Sequence, residues 1–129
     1  MTTDNKYMLD SSVWIGYFKA NPEFSLVENL IVLGKVVIND VILSELLPSM
    51  IAREEYDRAA AICALDLIPM NINWKEIREY QTLLMRNGHF KIGIPDLLIA
   101  QNCIQNDIQV ISCDKHFQTL AKYLPLKLK

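Results

Sequence analysis

The chain has 129 residues, 51% of them hydrophobic, which is enough for one domain with a hydrophobic core over residues 1–129. A formal net charge of −2 argues against a strongly basic nucleic-acid-binding protein, although a nuclease with an acidic site is compatible with it. No apolar run approaches the roughly 20 residues that span a bilayer, and the first residues lack a secretory-signal pattern, so we expect a cytoplasmic protein without membrane contact.

Short apolar runs alternate with longer amphipathic runs along the chain. The apolar runs predict strands over 6–10, 36–38, 67–70 and 108–112, with a possible final strand over 126–128. Pro69 indicates that the third strand is short or lies near an edge. Helical spacing and stop signals predict helices over 12–19, 23–33, 40–50, 52–66, 73–87, 95–106 and 115–123. This alternation predicts a three-layer α/β/α fold with a central, mostly parallel sheet of four to five strands.

The cysteines Cys63, Cys103 and Cys113 do not form a metal or redox motif. Their number is odd and no pair has CxxC spacing, so neither a disulfide framework nor a zinc site is indicated. Two of them lie in helical patterns and one ends a strand pattern, which predicts buried, reduced thiols.

Four carboxylates stand beside apolar runs: Asp10, Glu45, Asp96 and Asp114. Asp10 and Asp114 lie at the ends of predicted strands, Asp96 begins a helix, and Glu45 lies in the second turn of a helix that follows a strand. In open parallel sheets, ligands bind beyond the carboxyl ends of the strands. All four carboxylates can therefore reach the same edge of the sheet.

Helix capping is the alternative explanation for most of these acids. Asp96 and Asp114 could each cap a helix, a contribution of about 1 kcal/mol. Asp10 is a weaker cap candidate, because either serine after it could cap instead. Glu45 stands too far inside its helix to cap it, and its helical neighbours are at least half apolar. An ionised glutamate there needs a partner, and no arginine or lysine lies within a turn.

Four carboxylates gathered in one place need neutralisation. Two unit charges about 4 Å apart repel by about 4 kcal/mol at an effective dielectric of 20, so a cluster of four carries a load comparable to the stability of a domain. Oxygen ligands of this kind suit Mg²⁺ or Mn²⁺. Such an ion activates water and stabilises charge on a phosphoryl oxygen, which predicts phosphodiester hydrolysis without a protein nucleophile.

Three motifs containing these carboxylates follow one another in order. The first is MLDSSVWIGYF around Asp10, a strand followed by Asp-Ser-Ser and an apolar helix. The second is VVINDVILSELL, with Glu45 and a leucine on the helix after a strand. The third is IGIPDLLIAQNCIQNDIQVISCDKHF, which contains Asp96 and Asp114. The ordered set resembles the PIN-domain nucleases, specifically the VapC-type toxins of VapBC toxin–antitoxin pairs.

The resemblance implies a Mg²⁺-dependent endoribonuclease, a hydrolase in which Mn²⁺ can substitute for Mg²⁺. Asp10 and Asp96 are the expected metal ligands of the catalytic site. Glu45 would bind the metal or orient the water, and Asp114 would complete a second metal position or hold waters. Two hydroxyls are expected to support the site by hydrogen bonds, those of Ser12 and Ser112.

One position departs from the family pattern. His116 stands where the family often has an acid, which would weaken a second metal position and leaves the number of ions open. We interpret His116 as a surface helix residue in preference to a phosphate contact. His89, in a glycine-containing loop, is expected to be solvent-exposed.

The resemblance also implies an RNA substrate, a cognate antitoxin that crosses the active cleft, and a homodimer. Trp14, Tyr17 and Phe18 have a spacing that fits core or dimer packing better than base stacking. Basic side chains could contact phosphates, although most such charges are solvated surface. The candidates are Lys19, Arg53, Arg86, Lys91 and Lys115.

Other functions stay open at this point. The chain could be a PIN-domain nuclease of RNA processing that is not a toxin. A receiver-like module that binds Mg²⁺ for aspartyl phosphorylation would need a strand-end lysine, which the predicted strands do not offer. A PIN-like domain that only binds partners is a further alternative, but such a domain should have lost at least one of the four acids.

Overall fold

The computed structural model describes residues 5–129, in which the strands form one parallel sheet. The order across the sheet is β3-β2-β1-β4, and each neighbouring pair is parallel. The predicted α/β architecture is therefore confirmed, with four strands. The strands are β1 (Tyr7–Leu9), β2 (Val36–Ile38), β3 (Asp66–Leu67) and β4 (Gln109–Ile111).

Helices connect the strands and flank the sheet, as expected for parallel strands. A 3₁₀ turn at Pro22–Phe24 lies between the first two helices. In the described part of the chain the helices are α1 (Ser11–Phe18), α2 (Leu26–Val32), α3 (Asp40–Ala52), α4 (Tyr56–Cys63), α5 (Trp74–Arg86), α6 (Ile94–Gln105) and α7 (Lys115–Tyr123).

The two central strands, β1 and β2, are buried along their whole length. Met8 and Leu9 are 0% exposed, and Val37 and Ile38 are 1% exposed. Such continuous apolar strands are typical of parallel sheets covered by helices on both faces. The flanking layers bury these two strands, whereas both residues of the edge strand β3 are exposed.

The register of β1 against β4 brings two predicted site segments together. Leu9 pairs with Ile111, so the next residues along each strand, Asp10 and Ser112, are neighbours at the carboxyl edge. The Asp10 amide donates to the Ile111 carbonyl at 3.2 Å, which extends the ladder to the first carboxylate.

Two of the predicted helices have the wrong extent. The helix expected over 23–33 is divided into the 3₁₀ turn and α2, because Pro22 fixes a tight turn at the start of this segment. The helix expected over 52–66 is shortened to α4, since α3 continues to Ala52 and Glu54 then adopts a positive φ of 59°. The turn at Glu54 could not be predicted from the sequence, because the alanine-rich composition favours helix.

The edges of the sheet follow the prediction in part. β3 is a two-residue edge strand that ends before Pro69, as the proline indicated. The strand expected over 126–128 is reduced to one isolated parallel bridge between Val110 and Leu128.

The cysteines do not all behave as expected. Cys103 is buried in α6, and this burial raises the pKa of its thiol to about 12. Cys63 and Cys113 are exposed, so the prediction of buried thiols is wrong for both. Cys63 lies on the outward side of α4, and Cys113 lies in the turn after β4. Within residues 5–129, no helix combines the length and apolar character that crossing a membrane requires.

Candidate functional site

Asp10 forms the buried base of the site, at 4% exposure. Its Oδ1 accepts hydrogen bonds from the Ser12 hydroxyl at 2.7 Å and from the Val13 amide at 3.2 Å. Asp10 is therefore the N-cap of α1, a role that the sequence assigned more readily to the serines after it. Ser12 instead supports the carboxylate, since a buried polar group needs hydrogen-bond partners.

Ser112 connects Asp10 to the start of α7. Its hydroxyl donates to Asp10 Oδ2 at 2.5 Å and accepts from the Asp114 amide at 2.8 Å. Asp114 in turn caps α7, because its Oδ1 accepts from the His116 amide at 2.9 Å. The capping interpretation of Asp114 thus describes its backbone contact, while its second oxygen stays available at the edge of the sheet.

Asp96 is the third residue of α6 and does not cap the helix, whose N-cap is Gly93. Its side chain is 20% exposed. Partial burial raises the pKa of Asp96, a hydrogen bond from His116 lowers it, and the negative charges of Asp114 and Asp10 raise it again, with a net upward shift. The Asp96 carboxylate is therefore close enough to Asp114 and Asp10 for their charges to raise its pKa.

His116 is part of this cluster, which corrects its interpretation as a surface residue. Its Nδ1 lies 2.9 Å from Asp96 Oδ2 and 3.8 Å from Asp114 Oδ1. An ionised carboxylate can only accept, so Nδ1 carries the proton in this contact. The sequence did contain a signal for this contact. Position 116 is two residues after the N-cap of α7, which places the imidazole beside Asp114.

Glu45 lines a cavity of about 310 Å³ between α1 and α3. The residue is exposed, so the expectation that a half-apolar face would force it to find a partner is wrong. The cavity walls still remove water from the carboxylate. This desolvation raises the pKa of Glu45, and the charges of Asp96 and Asp10 raise it further. Glu45 therefore faces the same negative cluster from α3.

A buried amide pair holds the two helices that carry Glu45 and Asp96. Asn39 caps α3 by accepting from the Ile42 amide at 3.1 Å, and its Nδ2 donates to Asn102 Oδ1 at 3.0 Å. Asn39 is 0% exposed and Asn102 is 1% exposed. Sequence reasoning missed this pair, because nothing local relates residues that lie 63 positions apart.

We expect Asn39→Ala to lower the free energy of unfolding by about 2–4 kcal/mol. The helix cap accounts for about 1 kcal/mol of this loss, and the buried Asn102 oxygen left without its donor accounts for the rest. Thermal unfolding measures the effect. Asn73→Ala is the matched control, because Asn73 caps α5 through the Glu76 amide at an exposed position. Equal losses in the two variants would contradict the role of the pair.

The predicted basic and aromatic residues fall into separate places. Lys19 and Arg53 line the cavity beside Glu45. Arg86 lies on α5 in another surface depression with other basic residues of that helix. Trp14, 2% exposed, stacks on Phe18 with ring centroids 5.7 Å apart, which is core packing as its spacing indicated.

The donor set fits a hard divalent cation. Within residues 5–129, one atom each of Asp96, Asp114 and His116 lie within 4.8 Å of one another, while Asp10 and Glu45 approach this group from β1 and α3. Carboxylate oxygens dominate the set, and these are the ligands that Mg²⁺ and Mn²⁺ prefer. The imidazole is not counted among these ligands, because its Nδ1–H donates to Asp96.

Comparison with known proteins gives the family and the fold. A family model described as PIN domain matches residues 7–123. No curated protein matches the chain. Among solved structures, the chain is similar to VapBC2 of Rickettsia felis bound to a DNA fragment from its promoter, at 23% identity and a TM-score of 0.73, over 95% of this chain and 96% of that one.

Two further structures give the same result. VapBC-1 of nontypeable Haemophilus influenzae is 21% identical with a TM-score of 0.72, over 95% of this chain and 96% of that one. DNA-bound VapBC of Salmonella typhimurium is 19% identical with a TM-score of 0.74, over 97% of each chain. At these identities the likeness concerns the fold. The family match extends from β1 to the end of α7 and includes all four carboxylates, so the chain belongs to the PIN domain family.

Proposed function

We propose that this chain is a metal-dependent endoribonuclease that acts in the cytoplasm as the toxin of a type II toxin–antitoxin pair. One observation carries the nuclease assignment: Asp10, Glu45, Asp96 and Asp114 converge at the carboxyl edge of a parallel sheet, where their charges act on one another. Membership of the PIN domain family supports the same activity.

Asp10 and Asp96 would hold Mg²⁺, or Mn²⁺ in its place, with Glu45 and Asp114 completing the acidic site. When bound, such a cation acidifies a water molecule for attack and stabilises charge that grows on the phosphoryl oxygens. The nucleophile is then water, so the protein needs no nucleophilic side chain at the edge of the sheet.

The residues of the chain position the reacting groups and accept a proton from the attacking water. Ser12 and Ser112 fix the Asp10 carboxylate at the base of the site by donating to Oδ1 and Oδ2, respectively. Glu45 has a raised pKa and accessible oxygens, which suits it to orient the attacking water and to accept a proton from it. His116 holds Asp96 in place through its Nδ1–H.

The toxin assignment rests on similarity to the VapBC complexes, two of which contain DNA. It implies a cognate antitoxin as partner and a homodimer as the assembly. A PIN-domain nuclease of RNA processing would have the same acidic site. Expression alone and together with any small protein encoded next to its gene separates the two, because only a toxin is expected to arrest growth alone and to be silenced by such a neighbour.

The nuclease assignment is tested by incubating the purified chain with single-stranded RNA. We expect cleavage in Mg²⁺ or Mn²⁺, none in excess EDTA, and recovery when the metal is restored. Asp107→Asn is the matched control, since Asp107 lies at the opposite edge of the sheet and makes only an exposed ion pair with Lys127. Cleavage that persists undiminished in EDTA would refute the proposal.

A further inference from the structure

The loop between α5 and α6 carries an unusually exposed aromatic side chain. Phe90 is 70% exposed, whereas most large apolar side chains of the described chain are buried in the core. It lines a surface cavity of about 290 Å³ together with Lys91 and His116. An apolar ring exposed to water in this way contributes little to the core and is available to a ligand.

The cavity borders the proposed active site at one residue, His116. His116 forms part of its wall and at the same time lies 2.9 Å from Asp96 Oδ2 through Nδ1. A ligand in the cavity would therefore sit beside the acidic cluster. A polynucleotide with its scissile phosphate at the acids would place an adjacent nucleotide here.

The charge of the cavity favours an anion. Its lining includes Lys91 and two histidines, and no carboxylate. The cavity lined by Glu45, in contrast, also contains Glu55 beside its basic residues. A phosphate next to the scissile one is thus matched by the Lys91 ammonium, and an aromatic ring beside that ammonium can stack on a base.

The loop that presents Phe90 is anchored at the preceding residue. The His89 amide donates to the Leu84 carbonyl at 2.9 Å, and His89 Nε2 lies 3.3 Å from the Tyr123 hydroxyl on α7. The two rings pack edge to face, with centroids 5.4 Å apart. His89 is therefore half-buried and not solvent-exposed as expected, and it holds the backbone of Phe90 near α7.

We propose that Phe90 and Lys91 form a nucleotide subsite of the RNA-cleaving site. The base of the nucleotide next to the scissile phosphate stacks on the Phe90 ring, and Lys91 contacts the adjoining phosphate. This inference rests on the proposed ribonuclease function and goes beyond it by assigning residues that position the substrate. Both act on binding and neither touches the reacting atoms.

Steady-state cleavage of a short single-stranded RNA tests the subsite. We expect Phe90→Ala to raise KM about tenfold and to change kcat by less than about twofold, in line with measured base–aromatic stacking. Phe90→Trp should restore KM, because it retains a stacking surface. Trp74→Ala is the matched control, since Trp74 is an exposed aromatic residue, 49% accessible, at the start of α5.

An abasic substrate identifies the contact itself. Removing one base beside the cleaved bond should raise KM for wild type and leave Phe90→Ala unaffected at that position. The subsite is refuted, while the nuclease function stands, if Phe90→Ala raises KM by the same factor for intact and for abasic RNA. It is also refuted if Phe90→Ala leaves KM unchanged for RNA that wild type cleaves.

Binding of the same RNA to wild type in EDTA, followed by fluorescence anisotropy, does not depend on cleavage. We expect Phe90→Ala to weaken this binding by about the same factor as KM. Absence of RNA binding and of cleavage in wild type would refute the proposed function and the subsite together. Unchanged RNA binding with weakened binding of the antitoxin would refute the subsite and assign Phe90 to a protein interface.

Discussion

Asp96→Asn is expected to lower kcat/KM for RNA cleavage by at least about 100-fold, since even residues that only support metal ligands typically cost 10- to 100-fold. Asp96 lies in the compact cluster with Asp114 and His116 and has no structural task that asparagine cannot perform, because it does not cap α6. An amide keeps its shape and its contact with His116, but it removes the charge. The loss should therefore be chemical and not a consequence of unfolding.

Thermal unfolding separates these causes. Metal-free Asp96→Asn should melt at or above the temperature of wild type, because burial and neighbouring charges disfavour the ionised Asp96 that it removes. Asp10→Asn is expected to lose activity as well, but with some loss of stability, since Asp10 accepts bonds from two serine hydroxyls and one amide. Asp96→Asn with wild-type activity would contradict the assignment of the site.

Mg²⁺ is expected to raise the melting temperature of wild type by roughly 10 °C at a concentration 100 times its Kd. A ligand that binds only the folded state contributes about 2.7 kcal/mol at that ratio. For a domain of this size, 1 kcal/mol corresponds to roughly 3–5 °C. Glu45→Gln and Asp96→Asn should each lose much of this gain, because each removes one negative oxygen ligand. Equal shifts in wild type and in both variants would place the metal elsewhere.

Repulsion among the carboxylates also makes the stability of the metal-free protein depend on pH. Desolvation and the charges of Asp96 and Asp10 raise the pKa of Glu45, so the fold favours its protonated form. Ionised Glu45 therefore costs stability at neutral pH, and this cost is relieved as the pH falls through the raised pKa. In EDTA, Glu45→Gln should melt above wild type at pH 7, and the difference should shrink as the pH falls to about 4.

Glu23→Gln is the control for this comparison, since Glu23 is an exposed glutamate in the turn before α2. It should leave the melting temperature nearly unchanged across the same pH range. A Glu45→Gln variant that is less stable than wild type at pH 7 without metal would mean that Glu45 has a favourable partner. That result would contradict the unfavourable effect of Asp96 and Asp10 on its charge.

The sheet and the meeting of the acids could be predicted from the sequence for a simple reason. Strand–helix alternation dictates parallel strands, and parallel strands end at one edge. Asp10 directly follows β1, and Ser112 directly follows β4. Asp114 lies two residues beyond Ser112, so the β1–β4 pairing alone brings Asp10 and Asp114 together. Local pattern and general topology were sufficient there.

The rest depends on contacts between distant segments. His116 on α7 reaches Asp96 on α6 only when the two helices are packed together, which no periodicity encodes. The Asn39–Asn102 pair likewise exists only when α3 and α6 are packed. The turn at Glu54 was missed because helical propensity on both sides outweighs the signal of one residue in the left-handed region.

A parallel titration of one metal-stripped sample tests most directly whether the four carboxylates form a divalent-metal nuclease site. Mg²⁺ is added stepwise while the melting temperature and the rate of RNA cleavage are both recorded, with Asp96→Asn beside wild type. We predict no cleavage before metal is added. In wild type, the melting temperature and the cleavage rate should then rise with the same midpoint in Mg²⁺ concentration. In Asp96→Asn, neither should rise over that range of concentrations. Full cleavage before any metal is added, or in Asp96→Asn, would contradict the account.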